Sequence, residues 1–340
     1  MKKDVIPHSK PWITEADQQA LQRQLASGQV ARGQVVKQFE ERVGGCSGFK
    51  YTMATPSGTA ALALILWCLG ISPGDQIILP SYVCHSVETA VRFVGAKPVF
   101  CDVNGPWRVT PMDIVKKITK NTRGVILVHT FGIDASDKAF ADLGVPIIED
   151  YCQAFGLRPQ HETGSGLAFF SFNGTKCLTT GEGGMAGFND KALFKKAQNL
   201  KADNCHLTVM SDLQAALGIS QLDRYPEMLR KRRNLAQTYL KLLPEKILAK
   251  TRGIASSSIH FRFPVTFAGE IEETIEQAER MEGVSLRRGV DALLHRMNGM
   301  SDEEFPGACS LFKSTLSLPI YPCLSKFDQE RVIDYIKRRC

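Results

Sequence analysis

The sequence lacks the features that mark membrane-spanning, secreted and zinc-binding proteins. It contains no run of about 18 apolar residues, so we expect no membrane-spanning helix. The first residues, MKKDVIPHSKPW, are charged and interrupted by proline, so we expect no signal peptide. None of the ten cysteines belongs to a CxxC pair, and several lie in or beside apolar runs. We therefore expect neither a disulfide framework nor a metal site, and we expect a cytoplasmic location.

Composition and charge exclude two further classes of protein. Hydrophobic residues make up 44% and charged residues 23% of the chain, which excludes a mainly disordered protein. The net charge is +7, but the basic residues are spread out except at residues 230–233 and 337–339. No stripe of basic and aromatic residues exists, so we expect no nucleic-acid partner. The charge fits either a mildly basic protein or one that attracts phosphates and carboxylates.

Strands and helices alternate between about residues 50 and 190, and this alternation predicts the fold class. It implies right-handed crossovers and a mostly parallel sheet with helices on both faces, which is a three-layer α/β fold. The predicted strands cover residues 51–54, 76–79, 98–102, 124–129, 146–149, 168–172 and 185–188. The predicted helices between them cover residues 59–69, 85–94, 111–118 and 135–142.

The remainder of the chain predicts a second, smaller domain. Two long helices are expected at residues 211–222 and 226–243, and short strands and helices follow after about residue 255. We therefore predict a large ligand-binding domain over residues 1–225, which includes the N-terminal helices. A connecting helix and a small C-terminal α+β domain are predicted over residues 226–340.

Two carboxylates mark the end of a predicted strand. In IIEDYCQAFG, an apolar run ends in Glu149 and Asp150. Solvated turn residues are the usual fate of such a pair. Ligands of a mostly parallel sheet, however, bind at the carboxyl ends of its strands. Both interpretations stay open on this segment alone.

A lysine follows the next predicted strand. In FFSFNGTKCLTTGEGGM, the strand ends in Ser171, and Lys176 comes five residues later, before a glycine-rich turn. An apolar setting disfavours the ammonium form of a lysine and favours the neutral amine, which attacks aldehydes. The alternative is an ordinary surface lysine on a loop.

A helix that opens with Ser-Gly-Thr is the third candidate element. In TPSGTAALALIL, a strand leads directly into this helix, and Gly58 allows a ligand to approach the backbone. Helix N-termini bind phosphate well, although many helices begin in this way. A phosphate cradle, an acid for a ring nitrogen and an amine for an aldehyde are together the parts that pyridoxal phosphate (PLP) requires.

These segments resemble the DegT/StrS group of sugar aminotransferases, within the aspartate-aminotransferase fold type. The resemblance covers nearly the whole chain and rests on SGTAAL, GISPGDQIILPSY, GAKPVFCDV, VILVHTFG, IIEDYCQAFG, SFNGTK, GEGG, MSDLQAALGISQLDR and LSLPIYPCLS. It implies a PLP-dependent aminotransferase that moves an amino group from an amino acid, usually glutamate, to a keto sugar carried on a nucleotide. It also implies a homodimer with shared active sites. Dehydratase relatives have histidine instead of lysine, so Lys176 favours amino transfer.

The resemblance also implies a role for each matching residue. Lys176 would be the Schiff-base lysine and would shuttle the proton between substrate and cofactor. Asp150 would pair with the pyridine nitrogen, and Gln153 would bond the phenolic oxygen. The phosphate would be held by the hydroxyls of Thr59 and Ser171 and by the backbone of Gly58 and Ala60.

Two segments depart from the family pattern. The family usually stacks an aromatic residue on the cofactor ring just after PS[FY]T, but Cys84 stands at that place here. His85 and Tyr82 are the candidates to replace it, and we assign His85 to the cofactor site. Before MSDLQAALG, residues 207–209 replace the family's Asn-Tyr-Arg, whose asparagine reaches the partner's phosphate. The nearby residues Asn204 and His206 are candidates for that contact.

The sequence leaves the substrate and part of the function open. Arg262, in HFRFPV, is a candidate for binding a substrate carboxylate or phosphate, and an ordinary strand arginine is the alternative. His129 is either a site residue or a satisfied residue at a strand end. Two alternative functions also fit: an aminotransferase for a non-sugar ketone, and a regulatory protein that binds PLP without turnover.

Overall fold

The structure, a computed structural model, describes residues 5–157, 163–203 and 209–340. Its strands are β1 Tyr51–Thr55, β2 Gln76–Pro80, β3 Lys97–Cys101, β4 Thr122–Val128, β5 Ile147–Asp150, β6 Leu167–Ser171, β7 Gly184–Phe188, β8 Phe263–Thr266, β9 Arg287–Arg288 and β10 Thr315–Leu318. The described strands form a seven-stranded sheet in the order β1-β7-β6-β5-β4-β2-β3 and a three-stranded sheet in the order β8-β10-β9. The predicted α/β fold class with a smaller second sheet is confirmed.

Helices connect the strands and flank both sheets. They are α1 Glu15–Ala26, α2 Gln34–Ser47, α3 Gly58–Cys68, α4 His85–Phe93, α5 Pro111–Val115, α6 Lys191–Asp203, α7 Asp212–Leu242, α8 Glu245–Ile254, α9 Ile271–Gln277, α10 Leu294–Met297, α11 Pro306–Ser314 and α12 Lys326–Arg339. Within the described part of the chain, no helix combines the length and the apolar character that crossing a bilayer requires.

One edge of the large sheet collects the carboxyl ends of the strands that carry the predicted site. Strands β2 to β6 are parallel, and β7 is antiparallel to both β1 and β6. Therefore β1, β5 and β6 run in one direction and end in Thr55, Asp150 and Ser171. Gly184 begins β7 at the same edge, opposite both Thr55 and Ser171. Sheets of this kind bind ligands at this edge.

Separate hydrophobic cores cover the two faces of the large sheet. In β6, Leu167 and Phe169 belong to the core that contains α3 and α4, whereas Ala168 and Phe170 belong to the core that contains α2 and α7. This alternation follows because successive side chains of a strand point to opposite faces. Burial of both faces explains why the central strands are continuous apolar runs rather than alternating ones.

A third hydrophobic core supports the smaller sheet. Tyr239 of α7 and Val332 of α12 pack there against Phe263 of β8 and Leu316 of β10. Ile6, near the N-terminal end of the described residues, packs into the same core. The chain therefore contributes residues from both of its ends to this smaller unit.

A single helix, α7, replaces the two helices predicted at residues 211–222 and 226–243. Pro226 lies inside α7. Proline removes one helical hydrogen bond, but buried side chains on both sides of it, such as Tyr225 and Met228, hold the helix against the large sheet's core. The predicted domain boundary after Tyr225 falls inside this helix, and the division into two domains stays a prediction.

The helix predicted at residues 135–142 is present as a 3-10 turn rather than as an α-helix. This turn covers Lys138–Leu143. The Asp137 carboxylate accepts the backbone N–H of Ala139 at 2.9 Å, and such local bonds compete with the α-helix. Only Phe140 of this turn is buried. Little packing free energy is therefore available to favour an α-helix.

Gly184 lies where β7 meets the first turn of α3. A Cβ atom at this position would overlap the backbone of Ser57 and Gly58. We predict that Gly184→Ala lowers the free energy of unfolding by about 1–3 kcal/mol, because the overlap forces strand and helix apart. Urea denaturation of the variant and the original chain measures this difference.

The matched control for this substitution is Gly45→Ala in the exposed part of α2. Nothing lies within 4 Å of a Cβ atom at this position. Alanine favours a helix over glycine by up to about 1 kcal/mol, so the control is expected to be neutral or stabilising. Equal stability of Gly184→Ala and the original chain would contradict the close approach.

Candidate functional site

A cavity of about 320 Å³ opens at the carboxyl edge of the large sheet. It lies at the place where the strand order and polarity predict a ligand site. Two of the eight predicted site residues, Ala60 and His85, are outside its wall. The other six line the cavity and are Gly58, Thr59, Asp150, Gln153, Ser171 and Lys176.

The first turn of α3 forms one end of the cavity. The hydroxyl of Ser57 caps this helix by accepting the backbone N–H of Ala60 at 3.1 Å. A Cβ atom on Gly58 would lie 3.0 Å from the Ser171 Cβ and 3.1 Å from the Cys152 sulfur, so glycine permits this approach. Ser171 and Thr59 both line the cavity beside a helix N-terminus, an arrangement that suits an anion.

Asp150 provides a buried carboxylate in the same cavity. One of its oxygens accepts the backbone N–H of Cys152 at 2.8 Å. Burial raises the pKa of Asp150 above its ordinary value, although this N–H and the charges of Lys176 and His129 act in the opposite direction. The charged form of a carboxylate in this setting is stabilised by a ligand that presents a protonated ring nitrogen.

Gln153 is oriented by the backbone of a neighbouring turn. Its side-chain oxygen accepts the N–H of Phe131 at 2.8 Å. Because the oxygen is engaged in this way, the amide nitrogen is the group left to donate into the cavity. An acceptor oxygen on a ligand, such as a phenolate, fits this donor.

Lys176 lies on a loop that a side-chain hydrogen bond closes at its base. The Asn173 amide donates to the Glu182 carboxylate at 2.7 Å, and the Lys176 N–H donates to the Asn173 carbonyl at 2.9 Å. The lysine Nζ lies 5.3 Å from the centroid of the Phe261 ring. Asn173 and Glu182 both line the cavity. They lie within the family-like segments SFNGTK and GEGG, but they are not among the predicted site residues.

Cys84 stands at the position where the family usually has an aromatic residue against the cofactor ring. Among Tyr82, Cys84 and His85, Cys84 alone lines the cavity. His85 is exposed at the start of α4, and its ring nitrogen lies 3.4 Å from the hydroxyl of Thr89. Tyr82 is buried and packs edge-on against Phe131. In the described chain the structure therefore leaves His85 apart from the other predicted site residues.

His129 is a buried residue next to the end of β4. Its Nδ1 accepts the N–H of Ala135 at 3.1 Å, and its ring stacks on Tyr151 with a centroid distance of 4.2 Å. The other ring nitrogen has no hydrogen-bond partner among the described residues and lies 3.7 Å from the buried Glu149 carboxylate. His129 thus supports the strand ends behind the cavity and does not line it.

The predicted contact to a partner subunit falls on a part of the chain that the structure does not describe. Asn204, His206, Leu207 and Thr208 lie outside the described residues, whereas Val209 is exposed. The contact from this segment to a partner's phosphate stays a prediction.

The arrangement of groups in the cavity defines what it can do chemically. A helix N-terminus and two hydroxyls can hold a phosphate, a carboxylate can hold a cationic ring nitrogen, and an amide can donate to an oxygen between them. A lysine amine in the same cavity can attack a carbonyl carbon. These residues therefore fit PLP, which carries a phosphate, a pyridine ring, a phenolic oxygen and an aldehyde.

Comparison with known proteins agrees with this interpretation. The profile of the DegT/DnrJ/EryC1/StrS aminotransferase family matches residues 11–337. The dTDP-4-dehydro-2,3,6-trideoxy-D-glucose 4-aminotransferase of Saccharopolyspora spinosa is 31% identical and covers 83% of this chain and 82% of its own length. The UDP-4-amino-4-deoxy-L-arabinose–oxoglutarate aminotransferase of Shewanella sediminis (strain HAW-EB3) is 31% identical and covers 72% of this chain and 70% of its own length.

A solved structure extends the similarity to the fold. The aminotransferase TlmJ from Streptoalloteichus hindustanus superimposes with a TM-score of 0.86, at 27% identity, over 98% of each chain. The predicted family, enzyme class and cofactor are confirmed. The chain belongs to the DegT/DnrJ/EryC1/StrS family, whose members are aminotransferases that depend on pyridoxal phosphate.

Proposed function

We propose that this protein transfers the amino group of glutamate to a keto sugar carried on a nucleotide, with PLP held in the cavity described above. The observation that carries this proposal is that Lys176 and Asp150 line one cavity together with the N-terminus of α3. When bound, PLP supplies an aldehyde for amine exchange and a cationic ring that withdraws electrons from the reacting carbon. The chain's own residues bind the group, orient it and move protons.

The predicted site residues that line the cavity each take part in this proposal. The Lys176 amine provides the nucleophile and then carries a proton to and from the substrate carbon. The Asp150 carboxylate holds the ring nitrogen in its protonated form. Gln153 donates to the phenolic oxygen. The phosphate is bound by Ser171, Thr59 and the first N–H groups of α3, with Gly58 allowing the approach.

The choice of substrates follows from the relatives. One of them is a dTDP-sugar aminotransferase by name, and another is named as an aminotransferase that uses a UDP-linked sugar and oxoglutarate. Oxoglutarate is the keto acid that glutamate becomes when it gives up its amine. These names support a nucleotide-linked keto sugar as acceptor and glutamate as donor for this chain. We also propose a cytoplasmic location, in keeping with the nine described cysteines, all of which are free thiols.

We further propose that the protein is a homodimer with shared active sites. An apolar groove of about 200 Å³ lies beside Thr59 and Ala60 at the N-terminus of α3. Its rim includes Trp67 and Phe93, whose rings contact each other, and the Phe93 side chain is 57% exposed. Exposed aromatic residues that border a site are typical of subunit interfaces. A second copy of the chain on this groove would cover the phosphate end of the cavity.

The lysine assignment predicts a complete loss of function on substitution. Lys176→Ala is expected to abolish both turnover and the visible absorbance band of the covalently attached cofactor, because the only attacking amine assigned to the cavity is removed. Absorbance scans before and after addition of glutamate measure attachment and donor reaction together. Lys97→Ala, at the exposed start of β3, is the control and is expected to keep both.

The results also separate the competing functions. A Lys176→Ala variant that kept the band and the turnover would overturn the lysine assignment. A yellow original protein that reacted with no amino acid would support a regulatory role instead. A protein that reacts with glutamate but aminates only non-sugar ketones would overturn the sugar acceptor.

The carboxylate assignment predicts a defect that a modified cofactor repairs. Asp150→Ala is expected to lower turnover by roughly 100- to 1000-fold, because the ring nitrogen loses the anion that keeps it protonated. A cofactor methylated on the ring nitrogen has a permanent positive charge, and its methyl group fits the space left by the carboxylate. We expect it to restore much of the turnover of the variant. Unchanged turnover of Asp150→Ala with ordinary PLP would contradict the assignment.

The dimer proposal predicts that a charge on the groove separates the subunits. Phe93→Glu is expected to raise the dimer dissociation constant by about tenfold or more, because a carboxylate would be buried in an apolar contact. The mass measured by analytical ultracentrifugation should then shift from twice the chain mass toward the single-chain mass of 37.6 kDa. Phe327→Glu, at another exposed phenylalanine, is the control. A single-chain mass for the original protein at all concentrations would overturn the proposal.

A further inference from the structure

Arg262 is a half-buried arginine that is not itself part of the cavity wall, and the function proposed above assigns no task to it. The residue directly precedes β8. Its Nη1 donates to the carbonyl oxygens of Arg288 and Gly289 at 3.2 and 3.1 Å. In the described part of the chain, no hydrogen bond uses its Nε or Nη2. One corner of the guanidinium is thus anchored, and the opposite edge is left for another acceptor.

Among the described residues, the charge of Arg262 has no close counter-ion. Within residues 5–157, 163–203 and 209–340, no salt bridge includes this arginine. Burial lowers the pKa of Arg262, and the more distant charge of Asp291 only partly opposes this effect. A cation that is removed from water without a partner carries an uncompensated solvation cost, which an anionic ligand would offset.

Arg262 and the amine of Lys176 both lie near the ring of Phe261. The Arg262 Cζ lies 5.8 Å from the centroid of the Phe261 ring, and the Lys176 Nζ lies 5.3 Å from the same centroid. Cys84, which lines the cavity, is close enough to influence the pKa of the arginine. An amino acid carries its carboxylate on the carbon next to its nitrogen, so a donor whose nitrogen meets Lys176 brings a carboxylate close to that amine.

The placement of Phe261 is itself held by a second arginine. Arg232 of α7 is buried, and its Nη1 donates to the carbonyl oxygens of His260, Phe261 and Ile320 at 3.1, 3.2 and 2.9 Å. His260 has a positive φ of 55°, which is a costly conformation for a residue other than glycine. The hydrogen bonds from Arg232 maintain this turn, which contains Phe261 and leads into Arg262.

We propose that Arg262 binds a carboxylate of the amino donor through its Nε and Nη2 edge. This inference rests on the proposed aminotransferase function and adds the group that selects an amino acid over a simple amine. The open edge presents two parallel N–H groups, the geometry that carboxylates bind in a bidentate manner. Because the two backbone carbonyls already fix Nη1, little side-chain freedom is lost when the carboxylate binds.

Calorimetric titration of the cofactor-loaded protein tests this role without turnover. The probe is α-methylglutamate, which has no hydrogen on the reacting carbon and therefore cannot complete the transfer. Arg262→Gln is expected to raise its dissociation constant about 10- to 100-fold, the effect of losing charge-assisted hydrogen bonds. The dissociation constant of propylamine, an amine without a carboxylate, is expected to stay unchanged.

Two further variants distinguish a specific contact from a general change of charge. Arg262→Lys restores the charge but not the bidentate edge, so an intermediate dissociation constant is expected. If Arg262→Gln fails to retain the cofactor, this lysine variant decides the test by itself. Arg123→Gln removes an exposed arginine that pairs with Asp75, far from the cavity in the fold, and should bind the probe normally.

The outcomes separate this inference from the proposed function. Unchanged binding of α-methylglutamate by variants that retain the cofactor's absorbance band would overturn the role of Arg262 alone. If the affinity for propylamine fell as much as the affinity for α-methylglutamate, the arginine would have a structural role. If the variant instead bound a nucleoside diphosphate more weakly, the arginine would bind the acceptor. Either result would overturn the inference. An original protein with no cofactor band would overturn the proposed function and this inference with it.

Discussion

A carboxylate kept away from water at the end of a buried strand is the constraint on which the rest of the site depends. Asp150 accepts the backbone N–H of Cys152, and burial raises the pKa of its carboxyl group. Such a group either binds a proton or faces a cation. A protonated ring nitrogen in the cavity meets this requirement. The solvation free energy that the buried carboxylate loses is then offset by its attraction to the bound cofactor.

The polarity of the large sheet explains how the partners of Asp150 come together. Since β1, β5 and β6 end at one edge, the first turn of α3, the carboxylate and the loop of Lys176 share one cavity. The absence of a side chain at Gly184 allows α3 to approach β7, and the absence of one at Gly58 allows it to approach Ser171. Close packing at these two glycines therefore sets the distance between the first turn of α3 and the strand ends that carry Ser171 and Asp150.

The smaller unit approaches the site through the turn that precedes β8. Helix α7 runs from the core of the large sheet to the core of the smaller one, and its Arg232 holds the turn at His260 and Phe261. The centroid of the Phe261 ring lies 5.3 Å from the Lys176 Nζ. A residue next to β8 thus approaches Lys176, from which it is distant in sequence.

Local sequence determined the elements and the chemistry of individual residues. Apolar runs predicted the ends of β5 and β6 to within one residue, because a strand buried on both faces has no polar residue until it reaches the sheet edge. The resemblance of these segments to one family predicted the enzyme class and the cofactor, and the comparisons confirmed both. Tertiary structure decided what depends on contacts between distant segments. It joined two predicted helices through Pro226, left His85 in solvent, put Cys84 at the cavity wall and brought Phe261 near Lys176, because packing and burial are set by neighbours that the local sequence does not contain.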